Sequence, residues 1–161
     1  MVSGSAPLRL DPNAVTLWRA QRAIRLVTFG VPMAIAIGFA LSTVVPIEVS
    51  VLVVAFVVLF QAVMAIFWPS LEYDAFRYQV REEDLLVQSG VLFKRWSSIP
   101  NNRIQHVDTR QGPVERMLGL SRLLVFTAAG MSADGSIPGL ATAEADRLRD
   151  LLSRRGGDDG V

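Results

Sequence analysis

LVTFGVPMAIAIGFALSTVV (Leu26–Val45) and VSVLVVAFVVLFQAVMAIFW (Val49–Trp68) stand almost back to back, and neither contains a charged residue. Each is about 20 residues, or about 30 Å of helix at about 1.5 Å per residue, the thickness of a bilayer's hydrocarbon core. The two runs predict a transmembrane helical hairpin over residues 18–70. A flexible segment is expected over 1–17, a soluble domain over 71–155, and a disordered tail over 156–161.

The arginines orient the hairpin. Arg9, Arg19, Arg22 and Arg25 precede the first run, and Arg77 and Arg81 follow the second. Between the runs there is no Lys or Arg, only Glu48. By the positive-inside rule both termini belong in the cytoplasm of a multi-pass cell-membrane protein. Trp18, Trp68 and Tyr73 lie near the cytoplasmic ends, where amphipathic rings favour the interface. A cleaved secretory signal is the rival for the first run. The apolar stretch is too long for one and starts too late.

Polar and small residues inside the runs have packing roles. Gly30, Ala34, Gly38 and Ser42 recur every fourth residue, a small-xxx-small stripe that lets another helix approach. The second helix of the same hairpin is the expected neighbour, and homo-oligomerisation is the alternative. Pro32 frees the carbonyl of Thr28 if the helix already runs there. Gln61, the one strongly polar side chain of the second run, is expected to satisfy that carbonyl or the Thr28 hydroxyl.

Composition narrows the function classes. The chain has 161 residues, 51% hydrophobic, and a net charge of +1, so no bulk charge argues for nucleic acid. It has no cysteine and a single histidine, which removes disulfides, thiolate metal sites and two-histidine metal motifs. No phosphate-binding glycine loop is present. His106 and Asp108 share a strand face but read as a hydrogen-bonded pair, not a catalytic dyad. Neither a catalytic residue nor a metal or cofactor is expected.

From residue 71 the period changes to two. Phe76, Tyr78 and Val80 alternate with Arg77, Gln79 and Arg81 in a first strand, and Glu82-Glu83-Asp84 makes a turn. Further strands are expected at 85–87, 91–100, 104–110, 123–128 and 135–137. A helical turn is expected over Pro113–Leu118, a loop over Gly130–Gly135 and a turn at Pro138-Gly139. A last amphipathic helix carries Ala145, Leu148, Leu151 and Leu152 on one face, with Thr142 as its cap.

Five blocks are more specific than this outline. In order they are Ser98-Ile99-Pro100, Arg103-Ile104-Gln105-His106-Val107, Gln111-Gly112-Pro113-Val114-Glu115-Arg116, Leu118-Gly119-Leu120 and Ile137-Pro138-Gly139-Leu140. Following a hairpin and Leu71-Glu72-Tyr73, they closely resemble the bacterial pleckstrin-homology-like (PH-like) family of YdbS-like membrane proteins. The resemblance runs from about Trp18 to about Arg154. It implies a membrane helical hairpin plus an α+β domain: a PH-like antiparallel β-barrel or sandwich capped by a C-terminal helix. It implies no enzyme activity.

Phosphoinositide binding through a basic first hairpin loop is disfavoured, because that loop, Arg81–Asp84, is net acidic. The remaining basic cluster is Lys94, Arg95 and Arg103, with Trp96 and Phe93 as apolar contacts. These define the expected lipid- or partner-binding surface. The expected function is a membrane-anchored module binding a protein partner, either another membrane protein or a second copy. An anionic-lipid-responsive module and an accessory subunit of a transport complex are the alternatives.

Overall fold

The computed structural model describes residues 7–128 and 134–157. The chain divides into two compact units. One is Trp18–Ser70; the other joins the N-terminal residues up to Leu17 to the chain from Leu71 onward.

Trp18–Ser70 holds the hairpin. Helix α1 (Asn13–Arg25) leads through a π-helical turn, Leu26–Gly30, into α2 (Val31–Leu41), and α3 (Ile47–Ala75) returns. The continuous helix 13–41 and α3 are both 29 residues long and apolar enough to cross a bilayer. Their surface is apolar and open: Phe29, Ile35, Phe39, Leu52 and Phe56 are exposed, as lipid-facing side chains must be. The interior of the hairpin is made of small residues. Ala34 and Gly38 are buried on α2, and Ser50 on α3. Gly38 sits against Val54, and Gly30 against the Gln61 side-chain oxygen.

Gln61 therefore meets Gly30, not Thr28. The Thr28 hydroxyl donates to its own helix, to the Ile24 carbonyl at 2.8 Å. The backbone absorbs Pro32 by widening to the π turn, in which the Val31 N–H reaches the Leu26 carbonyl. Pro69 leaves a second gap in the ladder of α3. Arg19 bridges to α3 beside it, its Nε donating to the Ile66 carbonyl at 3.0 Å and its Nη2 to Ser70 Oγ at 2.9 Å.

The second unit is built from two antiparallel three-stranded sheets. The first is β1 (Arg77–Val80), β2 (Asp84–Ser89) and β3 (Arg95–Pro100); the second is β4 (Ile104–Arg110), β5 (Leu120–Thr127) and β6 (Gly135–Ala141). The sheets stay separate instead of closing into a barrel. Leu85, Val87 and Ile99 from the first, and Leu123, Val125, Ile137 and Leu140 from the second, fill the core. Helix α5 (Thr142–Gly157) lies on β4 and β5 and buries Ala145, Leu148 and Leu152.

The N-terminal segment belongs to this core. Flexibility is expected over 1–17, yet Leu8 forms a β-bridge with Tyr78, and Leu10, Ala14 and Leu17 are buried. Tyr73 fixes the segment from the other side, its hydroxyl donating to the Leu10 carbonyl at 3.0 Å. Residues 1–6 lie outside the described residues, as do 129 and residues 130–133 of the expected loop, and 158–161 of the expected tail.

Pro138-Gly139 is not a turn before the helix. It is a bulge inside β6, where the register jumps between Ser121 and Leu123. Proline is tolerated at a bulge because its missing N–H is not needed there, and Gly139 adopts φ +66°. Its carbonyl accepts from the Asp11 N–H, and its α-carbon lies against Ala14.

Thr142 also departs from a simple cap. It is the first residue of α5, and its hydroxyl donates to the Gly119 carbonyl at 3.0 Å. Gln111 Nε2 reaches both the Leu120 carbonyl (2.8 Å) and the Thr142 hydroxyl (3.2 Å). Glu115, buried on the short helix α4 (Pro113–Met117), packs on Gly112 and pairs with Arg122 at 3.8 Å. The blocks that carry the family resemblance thus join α4, β5 and α5.

Candidate functional site

The expected basic cluster is split by the strand it borders. Lys94 and Arg95 stand at the start of β3, and Arg103 lies beyond its other end, in a 3-10 turn at Asn101–Arg103. Six residues of strand at about 3.4 Å each separate the ends by roughly 20 Å. Arg103 instead shares its end with the acidic turn. There the buried Asn101 donates its backbone N–H to the Glu83 carbonyl and its Nδ2 to the Glu82 carbonyl, both at 2.8 Å. Arg155 Nη1 donates to the Arg81 carbonyl at 2.6 Å.

The β2–β3 tip gathers the rest. The strand expected over 91–100 starts later than its pattern: β2 ends at Ser89 and β3 begins at Arg95, paired across from it. Gly90 turns the chain with φ +99°, and the Phe93 carbonyl comes so close to Gly90 that no side chain fits there. The turn throws Leu92 and Phe93 outward, 75% and 88% exposed. Trp96 stands opposite Gln88 on the outer face of the sheet, because Ile99, three residues on, takes the inner face. It is 60% exposed. Three large apolar side chains and two cations therefore share one tip. Phe93 and Trp96 are legible in sequence as contacts; Leu92 reads as strand interior, and only the left-handed Gly90 reveals otherwise.

His106 and Asp108 each have a different partner. His106 packs on Phe126 with ring centroids 5.8 Å apart, and Asp108 pairs with Arg110 at 3.3 Å. Among the described residues no three of His, Cys, Asp and Glu gather to hold a metal. The Arg149 pKa is raised by the hydrogen bond and charge of Asp150, with Asp146 and Asp108 adding to it. Burial, reinforced by Glu144, pushes the Tyr78 hydroxyl from 10.0 up to about 12. On the hairpin, Gly30 faces the Gln61 side chain, Gly38 faces Val54 and Ala34 is buried, while Ser42, half-buried after the end of α2, donates its hydroxyl to the Phe39 carbonyl at 2.7 Å.

Residues 23–156 match the family model described as Bacterial PH domain. The chain is 33% identical over 158 residues to the UPF0699 transmembrane protein YdbS of Bacillus subtilis (strain 168), covering 95% of this chain and 96% of that protein. No solved structure matches it. The two spans, the paired sheets with their C-terminal helix, and these matches together make this a membrane protein of the bacterial PH domain family.

Proposed function

We propose that the protein is a membrane-anchored, non-enzymatic interaction module. The hairpin holds the PH-like domain at the cytoplasmic face, and the β2–β3 tip binds a protein partner, either another membrane protein or a second copy. The observation that carries this reading is the exposure of Leu92, Phe93 and Trp96 at one tip. Large apolar and aromatic side chains on a domain surface are the groups that act as binding anchors. The arginines outside both spans, with none between them, support the cytoplasmic placement.

Lys94 and Arg95 favour a second reading, in which the same tip meets anionic headgroups; each cation near such a surface is worth about 1 kcal/mol. A photocrosslinking amino acid at position 93, in native membranes, separates the two. A partner reading predicts one protein adduct of defined mass that is lost with Trp96→Ser and absent from a probe at Ser153. Lipid adducts alone, weakened by salt, would transfer the tip to the second reading. Equal labelling from positions 93 and 153 would sink both.

A further inference from the structure

A groove of about 380 Å³ opens on the hairpin between the end of α1 and α3. Arg22, Arg25 and Gln61 are its polar lining, and Leu26, Phe60, Met64 and Ala65 its apolar lining. The two arginines are one turn apart on the same helix face. They are also the last charges before the first apolar run begins at Leu26. Arg25 Nε donates to the Gln21 carbonyl at 3.4 Å, which uses one of the five N–H donors of its guanidinium.

The backbone shapes this spot. The π turn Leu26–Gly30 starts directly after Arg25, and such widened turns cluster at functional sites. On α3, Gln61 is turned toward Gly30. The groove therefore runs from a guanidinium pair at the charged boundary to apolar side chains inside the span. A phospholipid has that polarity: a phosphate joined to acyl chains. Guanidinium groups recognise phosphate oxygens in bidentate fashion, and basic pockets between spanning helices hold anionic lipid headgroups.

We propose that this groove binds one anionic glycerophospholipid. Arg22 and Arg25 hold its phosphate, Gln61 offers its amide at the depth of the ester groups, and an acyl chain lies along Leu26, Phe60 and Met64. The site is separate from the β2–β3 tip and stands whether or not the tip binds a partner.

Native mass spectrometry of the full chain, released from nanodiscs of phosphatidylglycerol or of phosphatidylcholine, tests it. The expected result is one retained phosphatidylglycerol per chain, at least tenfold preferred over phosphatidylcholine. Arg22→Gln with Arg25→Gln lowers that occupancy at least tenfold, whereas Arg116→Gln with Arg154→Gln, two exposed cations of the domain, leaves it unchanged. Ala65→Phe, which fills the groove and keeps both arginines, lowers it too, and so decides the matter if the double variant does not fold. Equal retention of the two lipids, or occupancy indifferent to the Arg22/Arg25 and Ala65 changes, would overturn the proposal. Full displacement by millimolar inorganic phosphate would identify a site for the free anion, not for a lipid.

Discussion

Two glycines show how single residues hold the domain. Gly119 and Gly139 share φ +66°, but a β-carbon at Gly119 meets nothing within 4 Å, while one at Gly139 would lie 2.6 Å from the Ala14 β-carbon. Backbone strain alone costs about 1–2 kcal/mol, and overpacking adds about 1–3 kcal/mol. Gly139→Ala is therefore expected to lose more stability than Gly119→Ala, by at least about 1 kcal/mol in denaturant melts of the full chain in detergent. Equal losses would mean that the N-terminal segment does not press on the β6 bulge. Tyr78 gives a pH signature. Its hydroxyl pKa is about 12 in the fold against the ordinary 10.0, so the fold favours the protonated, neutral form. That contribution is complete below pH 10 and disappears as pH rises toward 12. Wild-type stability should fall across that window, and Tyr78→Phe should fall less; parallel slopes in the two proteins would refute the assignment.

At the level of elements, periodicity reads well and exceptions to it read badly. The spans, the six strand positions and the final helix follow from apolar runs, alternation and a helical face. The misread places are those where backbone geometry overrides pattern. Val91–Phe93 looks like strand until Gly90 goes left-handed, and Pro138-Gly139 looks like a turn until a register jump makes it a bulge. The N-terminal segment is short and weakly patterned, and only a long-range bridge to Tyr78 places it. The candidate site is half legible for the same reason: composition shows a basic cluster, but strand length separates Arg103 from Lys94 and Arg95. The small-residue stripe is a testable element. With Gly38 against Val54, Gly38→Ile is expected to cost about 1–3 kcal/mol and lower the melting temperature in detergent, while Phe39→Leu on the exposed face changes little. A shifted monomer–dimer ratio at unchanged melting temperature would assign the stripe to contacts between copies instead.

The whole molecule combines a lipid-facing hairpin with a PH-like domain whose family-resemblance blocks are structural ties. Gln111, Gly119, Thr142 and Glu115 hold α4, β5 and α5 together, so resemblance in those blocks reports the fold, and binding is sought at the β2–β3 tip and the hairpin groove. Both readings need the domain and the arginine-flanked helix ends on the cytoplasmic side. The chain has no cysteine, so single substitutions give a clean topology readout. Val44, between the spans, and Ser153, on α5, are both exposed. A membrane-impermeant maleimide should label Val44→Cys in intact cells, and label Ser153→Cys only after the membrane is permeabilised. Labelling of Ser153→Cys in intact cells, with Val44→Cys protected, would contradict the account.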